Sequence, residues 1–231
     1  MNYTIPKQLL SKGSTNTKTA KNPIDTHILY LAPYNQNSLG INICPKASKG
    51  CAAACLFTAG RGRFSNVKAA RINRTEYYLQ DKERFILQIA SELVKINKKG
   101  KALIRLNGTS DIDFISLLKK YAKLDVFTLN NLIFYDYTKI MGKVRKYADT
   151  SYVQTFSRAE DNENEMMQAL HLGVNASVVF NGEIPKTYRG FTVVDGDITD
   201  VEMISYKGVI LALKAKGDAK KDKTGFVVSV C

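Results

Sequence analysis

The chain has 231 residues, with 34 Lys and Arg against 21 Asp and Glu, a formal net charge of +13. Hydrophobic residues make up 45% and charged residues 24%, which excludes a disordered basic tail and predicts a core that folds without a disulfide framework or a stapling metal. No apolar run reaches the roughly 18 residues of a membrane span, so a cytoplasmic protein is expected, and the basic excess points to a polyanionic partner such as nucleic acid.

Residues 11–25 are small, polar and basic without a hydrophobic period, so 1–26 read as an N-terminal arm and 27–231 as a single α/β domain. A β-rich stretch at 27–33 predicts the first strand, and the turn-forming residues 35–40 lead into a cysteine-rich loop. Apolar residues at threes and fours predict a helix over 66–97, stopped by Lys98, Lys99 and Gly100. Strands are then expected at 102–106, 132–137, 152–156 and 176–180, separated by helices at 112–122, 140–147 and 160–172. Shorter strands follow at 191–194 and 209–213, with a last one at 225–230. This β-α alternation predicts a mainly parallel sheet with right-handed crossovers, open or curled toward a barrel.

In such folds the working residues gather just past the carboxyl ends of the strands. Asp111, Asp136 and Lys139 are therefore the candidate catalytic residues, and Asn107, Thr109, Ser157, Arg158 and Lys214 the candidate cofactor-binding residues. Helix capping is a competing role for Thr109, Ser110 and Asp111, and Arg158 can pair simply with Glu160. Asp195, Asp197 and Asp200 form either a divalent-cation site or a solvated acidic turn.

Cys44, Cys51 and Cys55 place three thiols within twelve residues, spaced by six and then three mostly small residues. Cys51 and Cys55 share a face if their segment is helical. Thiolates favour an iron–sulfur cluster or zinc, and three of them leave one position for a remote residue, water or substrate. Three ordinary buried cysteines are the structural alternative. Cys231 supplies a fourth metal ligand if the last strand returns to the loop. The Gly60-Arg61-Gly62-Arg63 run suits an anion or a plain basic turn. Only His27 and His171 are present, neither in a catalytic motif, and no Walker, Rossmann, zinc-deaminase or zinc-protease pattern occurs.

Several stretches resemble, in order, a family of bacteriophage proteins similar to the phage gene 88 protein group. They are the cysteine loop through Gly62, Arg105-Leu-Asn-Gly-Thr-Ser-Asp111, Phe134-Tyr-Asp-Tyr-Thr-Lys139, Thr155-Phe-Ser-Arg158, Val194-Asp-Gly-Asp197 and Leu213-Lys-Ala-Lys-Gly217. The resemblance implies a phage protein working in a bacterial cytoplasm and carries no activity with it. Three cysteines in the loop after the first strand are also similar to the radical S-adenosylmethionine enzymes, whose partial βα barrel holds a cluster there. That likeness implies an incomplete TIM-like barrel, a [4Fe-4S] cluster on Cys44, Cys51 and Cys55, and S-adenosylmethionine as cofactor. The spacing departs from it, since three and then two residues, with an aromatic before the third cysteine, are usual there, and this chain has Ala54. Two functions are expected: an iron–sulfur enzyme in which Asn107, Asp111, Asp136 and Lys139 orient the ligand, or a non-catalytic nucleic-acid-binding protein with Arg61, Arg63, Lys68, Arg71 and Arg74 on phosphates.

Overall fold

In a computed structural model, which describes residues 3–15, 18–55 and 60–230, ten strands form one sheet with helices along its parallel part. Strand β1 (Leu10–Lys12) runs antiparallel to β2 (Asp25–Leu29). Leu9 and Leu10 are fully buried, so apolar side chains tie the segment read as an arm into the core. Helices α1 (Lys49–Ala53), α2 (Ser65–Gln80) and α3 (Lys82–Lys99) follow. The regular part is β3 (Ala102–Arg105), α4 (Phe114–Ala122), β4 (Leu132–Thr138), α5 (Met141–Tyr147), β5 (Val153–Ser157), α6 (Glu163–His171) and β6 (Asn175–Asn181). The chain continues through β7 (Thr187–Tyr188), β8 (Phe191–Asp195), α7 (Asp200–Ser205), β9 (Ile210–Lys214) and β10 (Val227–Ser229).

The strand order is β1-β2-β3-β4-β5-β6-β9-β8-β7, parallel except for the β1–β2 and β7–β8 pairs, and the sheet is open. A mainly parallel α/β fold is what the element order predicts. The helix expected over 66–97 is instead two, because Asp81 adopts φ −141° and ψ 63° between α2 and α3. Asp competes for backbone hydrogen bonds and favours such breaks, while the three-and-four apolar spacing runs on across it. Among the described residues no helix is long and apolar enough to cross a membrane.

Side chains alternate across the sheet. Ala102, Ile104, Leu132 and Phe134 face α3 and α4, packing with Phe85, Leu93, Phe114 and Leu118. Phe156, Ala176, Val178, Phe180, Ile210 and Ala212 pack likewise with Val144, Met166 and Leu170 of α5 and α6. Each large side chain buried there stabilises the fold by roughly 1.5–3 kcal/mol. The intervening positions, Arg105, Tyr135, Tyr137, Thr155, Ser157, Asn175 and Ser177, therefore point to the opposite face, which is rich in polar groups.

Near its carboxyl end the sheet splits. Strand β9 covers one edge of β6 from Ala176 to Phe180, β5 covers the other only from Asn175 to Ser177, and β10 takes that edge from Val179 to Asn181. Strand β10 is thus a parallel wedge between the ends of β5 and β6.

Candidate functional site

The cysteine loop leaves β2 and lies over the carboxyl ends of the parallel strands. Ser48 is the N-cap of α1, its hydroxyl accepting from Cys51 N at 3.1 Å. Glu160, just past β5, accepts from Ser48 Oγ at 2.6 Å and from Gly50 N at 2.7 Å. Burial opposes ionisation of Glu160, but these donors outweigh it and hold its pKa below the ordinary carboxylate range. Gly50 is needed for this docking, since a Cβ there would lie 2.1 Å from Thr224 Oγ1 and 2.6 Å from Phe226 Cβ. Cys51 packs on a cluster of Ala54, Ala159, Ala215, Ala219, Phe226 and Val227. Cys44 packs instead against the core under α3 and α4, its thiol donating to Thr109 O at 3.6 Å. The loop therefore bridges the β3 and β5–β10 ends.

All three loop cysteines are half-buried, and among the described residues none forms a disulfide. Burial pushes the Cys44 thiol up to about 11; a backbone hydrogen bond from Tyr34 opposes the rise, and Cys55, Cys51 and Asp111 add to it. Cys51 and Cys55 thus lie near enough to Cys44 to act on it electrostatically. Among the described residues, no three His, Cys, Asp or Glu side chains converge as a metal-ion site. Zinc requires all its ligands within about 2.0–2.3 Å of one point. A [4Fe-4S] cluster takes each thiolate on a different iron, and the loop supplies the donor type that such a cluster uses. Cys231 lies outside the described residues.

Several candidate residues are occupied by the fold itself. Asp136 is buried and accepts from Asn107 N at 2.7 Å, Asn107 Nδ2 at 3.2 Å and Tyr152 OH at 2.7 Å. Burial raises its pKa against the pull of Lys143 and these donors. Asn107 in turn shapes the loop before α4, its Oδ1 accepting from Ser110 Oγ and Ile112 N. Asp111 accepts from Thr138 Oγ1, Lys139 N and Lys143 Nζ, each at 2.8 Å. Thr109 donates to Leu31 O at 2.5 Å. The helix cap is Asp113, which accepts from Ser116 N at 3.1 Å. These groups join β3, β4 and the cysteine loop.

The remaining candidates divide. Lys139 Nζ donates to Ser157 Oγ at 2.8 Å, so these two meet on the polar face. Arg158 pairs with Glu163 at 2.9 Å, not with Glu160, and also donates to Gly225 O and Phe226 O of the β10 segment. Lys214 is exposed and shares the register of Phe180, which puts it on the helix-covered face, away from Lys139. The three aspartates 195, 197 and 200 do not converge: Asp197 pairs with Lys216 at 2.7 Å, and Asp200 is fully buried. In the arginine row, Arg71 is buried with its guanidinium 4.8 Å from the Tyr30 ring centroid, so that row is not a uniformly exposed phosphate-binding face.

The polar face also holds a charge cluster built on Asp200, the residue that its sequence neighbours group with Asp195 and Asp197. Asp200 forms an ion pair with Lys18 at 2.7 Å and accepts from Tyr135 OH at 2.6 Å. Burial opposes its ionisation, but Lys18 and Arg105 hold its pKa below the ordinary range. Arg105 lies over the Tyr137 ring, 4.6 Å from its centroid. Arginine inside a strand beside two alternating tyrosines is the one signal in the sequence that points here; the contribution of Lys18, from the arm, has none.

Compared with known protein families, residues 8–230 match the family described as gene product 88. The chain belongs to that family. It is a family of phage proteins, and the match to gene product 88 takes in the cysteine loop and every strand of the sheet. No curated protein and no solved structure matches the chain.

Proposed function

We propose that this gene product 88 protein binds a [4Fe-4S] cluster through Cys44, Cys51 and Cys55, above the carboxyl ends of a partial TIM-like βα barrel in the bacterial cytoplasm. The observation that carries the reading is the docking of the three-thiol loop, by Glu160 and Gly50, across the polar ends of the parallel strands. The consecutive order β2-β3-β4-β5-β6, with helices packed on one face, supports the barrel. Three thiolates would leave one iron open to a ligand, S-adenosylmethionine in a radical S-adenosylmethionine-like enzyme. In that reading Lys139 and Ser157 face the bound molecule, while Asn107, Asp111 and Asp136 position the loops beside it.

The test is iron, acid-labile sulfide and zinc content of protein purified without oxygen, with its visible spectrum. About four iron and four sulfide per chain, lost in Cys51→Ala with the fold kept, is the expected result. Stoichiometric zinc, or no metal, overturns it. Non-catalytic nucleic-acid binding is the second reading, favoured by the net charge of +13. A DNA titration at two salt concentrations tests it, and an affinity insensitive to salt removes it.

A further inference from the structure

Arg105, Tyr137, Lys139 and Ser157 share the sheet face opposite the helices. The β3–β4 register continues to place Arg105 opposite Tyr135, one pair before Tyr137, and the β4–β5 register continues to place Lys139 opposite Ser157, one pair after it. The Arg105 guanidinium lies over the Tyr137 ring, and Lys139 follows Tyr137 by one pair on the same face. Among the described residues neither has a carboxylate at ion-pair distance. Among the described residues, the Nε of Arg105, cut off from solvent, has no hydrogen-bond partner. Asp200, the acid acting on Arg105, already meets Lys18 and Tyr135. Among the described residues, the Lys139 ammonium meets the Ser157 hydroxyl and, at 5.8 Å, the Phe226 ring. The contrast is Lys143, the other inward lysine of this region, which has Asp111 at 2.8 Å.

Half-buried cations held without a carboxylate are costly unless an anion completes them. We infer that the carboxyl end of this face, between Arg105 and Lys139, binds the phosphate group of a small phosphorylated molecule. A phosphate monoester carries about −1.5 to −2 charges and three acceptor oxygens. It matches a planar guanidinium fork, a point-like ammonium and a hydroxyl, whereas a carboxylate offers one charge and two oxygens in a plane. Ser157 accepts from Lys139 and keeps its own proton to donate. This site goes beyond the cluster reading and stands whether or not the loop carries iron.

The experiment is a calorimetric titration of the full chain with inorganic phosphate at constant ionic strength, with acetate and chloride as comparison anions. Iron is measured on the same preparations, so failure of the cluster reading is seen separately. Saturable phosphate binding is expected, weakened about tenfold or more in Lys139→Gln and in Arg105→Lys, and unchanged in Lys7→Gln on the exposed surface. Lys139→Gln keeps the inference testable if the Arg105 variant fails to fold. Equal responses to phosphate, acetate and chloride overturn it, as does full phosphate affinity in folded Lys139→Gln. Binding of a short oligonucleotide without any binding of phosphate also overturns it.

Discussion

Replacing Glu160 by Ala should release the cysteine loop from the sheet without unfolding the domain. The carboxylate accepts two short hydrogen bonds, from Ser48 Oγ and Gly50 N. Hydrogen bonds to a charged group contribute roughly 1.5–3 kcal/mol each, and the part-exposed setting halves that, leaving about 2 kcal/mol for the latch. At 1.4 kcal/mol per factor of ten, the open loop becomes about 30-fold more populated. The assay is hydrogen exchange at Gly50 N and Cys51 N, with the labelling rate of the Cys51 thiol, on metal-free protein. Glu160→Gln should fall between, because an amide oxygen still accepts one bond. The latch is also pH-dependent. A folded pKa below the unfolded value means that its stabilisation is complete above the unfolded pKa, about 4.3, and disappears as pH falls through the folded one. Exchange and labelling within about twofold of the parent in Glu160→Ala would refute the reasoning.

Asp136→Asn turns an amide donor toward the three donors that meet at this buried site, and a loss of about 3–5 kcal/mol in urea unfolding is expected. Gly50→Ala should cost about 1–3 kcal/mol and raise Cys51 labelling, because the added methyl meets Thr224 and Phe226. Asp111→Asn leaves the Lys143 ammonium, 6% exposed, without its counter-charge, and should lower stability by about 3–5 kcal/mol; Lys143→Met in that background should recover part of the loss. Burial holds the His27 pKa below the ordinary imidazole value, so its neutral form stabilises the fold above about pH 6.5. That contribution is lost as pH falls through the folded pKa, and His27→Phe should flatten the dependence of the urea midpoint between pH 7 and 5.

The parallel core was legible because strands and helices differ in apolar period, and Ile104, Phe134, Phe156 and Val178, each inside an expected strand, all lie in the packed core. The break at Asp81 was not, since the apolar spacing continues across it. The cysteine loop announces itself by composition. Its docking does not, because Glu160 lies more than a hundred residues away and carries no periodic signal. Asp136 stood out as a carboxylate at the carboxyl end of a strand; it is buried, but its oxygens go to Asn107 and Tyr152. Asp200 read as part of an acidic turn only because its partner Lys18 comes from the other end of the chain.

The slot that β10 fills has a consequence for how the chain is made. Of the described strands β10 leaves the ribosome last, so the forming domain passes through a stage in which the carboxyl half of one β6 edge is bare. Bare strand edges invite pairing with other chains. Arg158, tethered by Glu163 and aimed at the carbonyls of Gly225 and Phe226, is in place to receive the arriving strand and shorten that exposure. A peptide spanning 224–230, added during refolding, should compete for the slot and trap molecules at that stage.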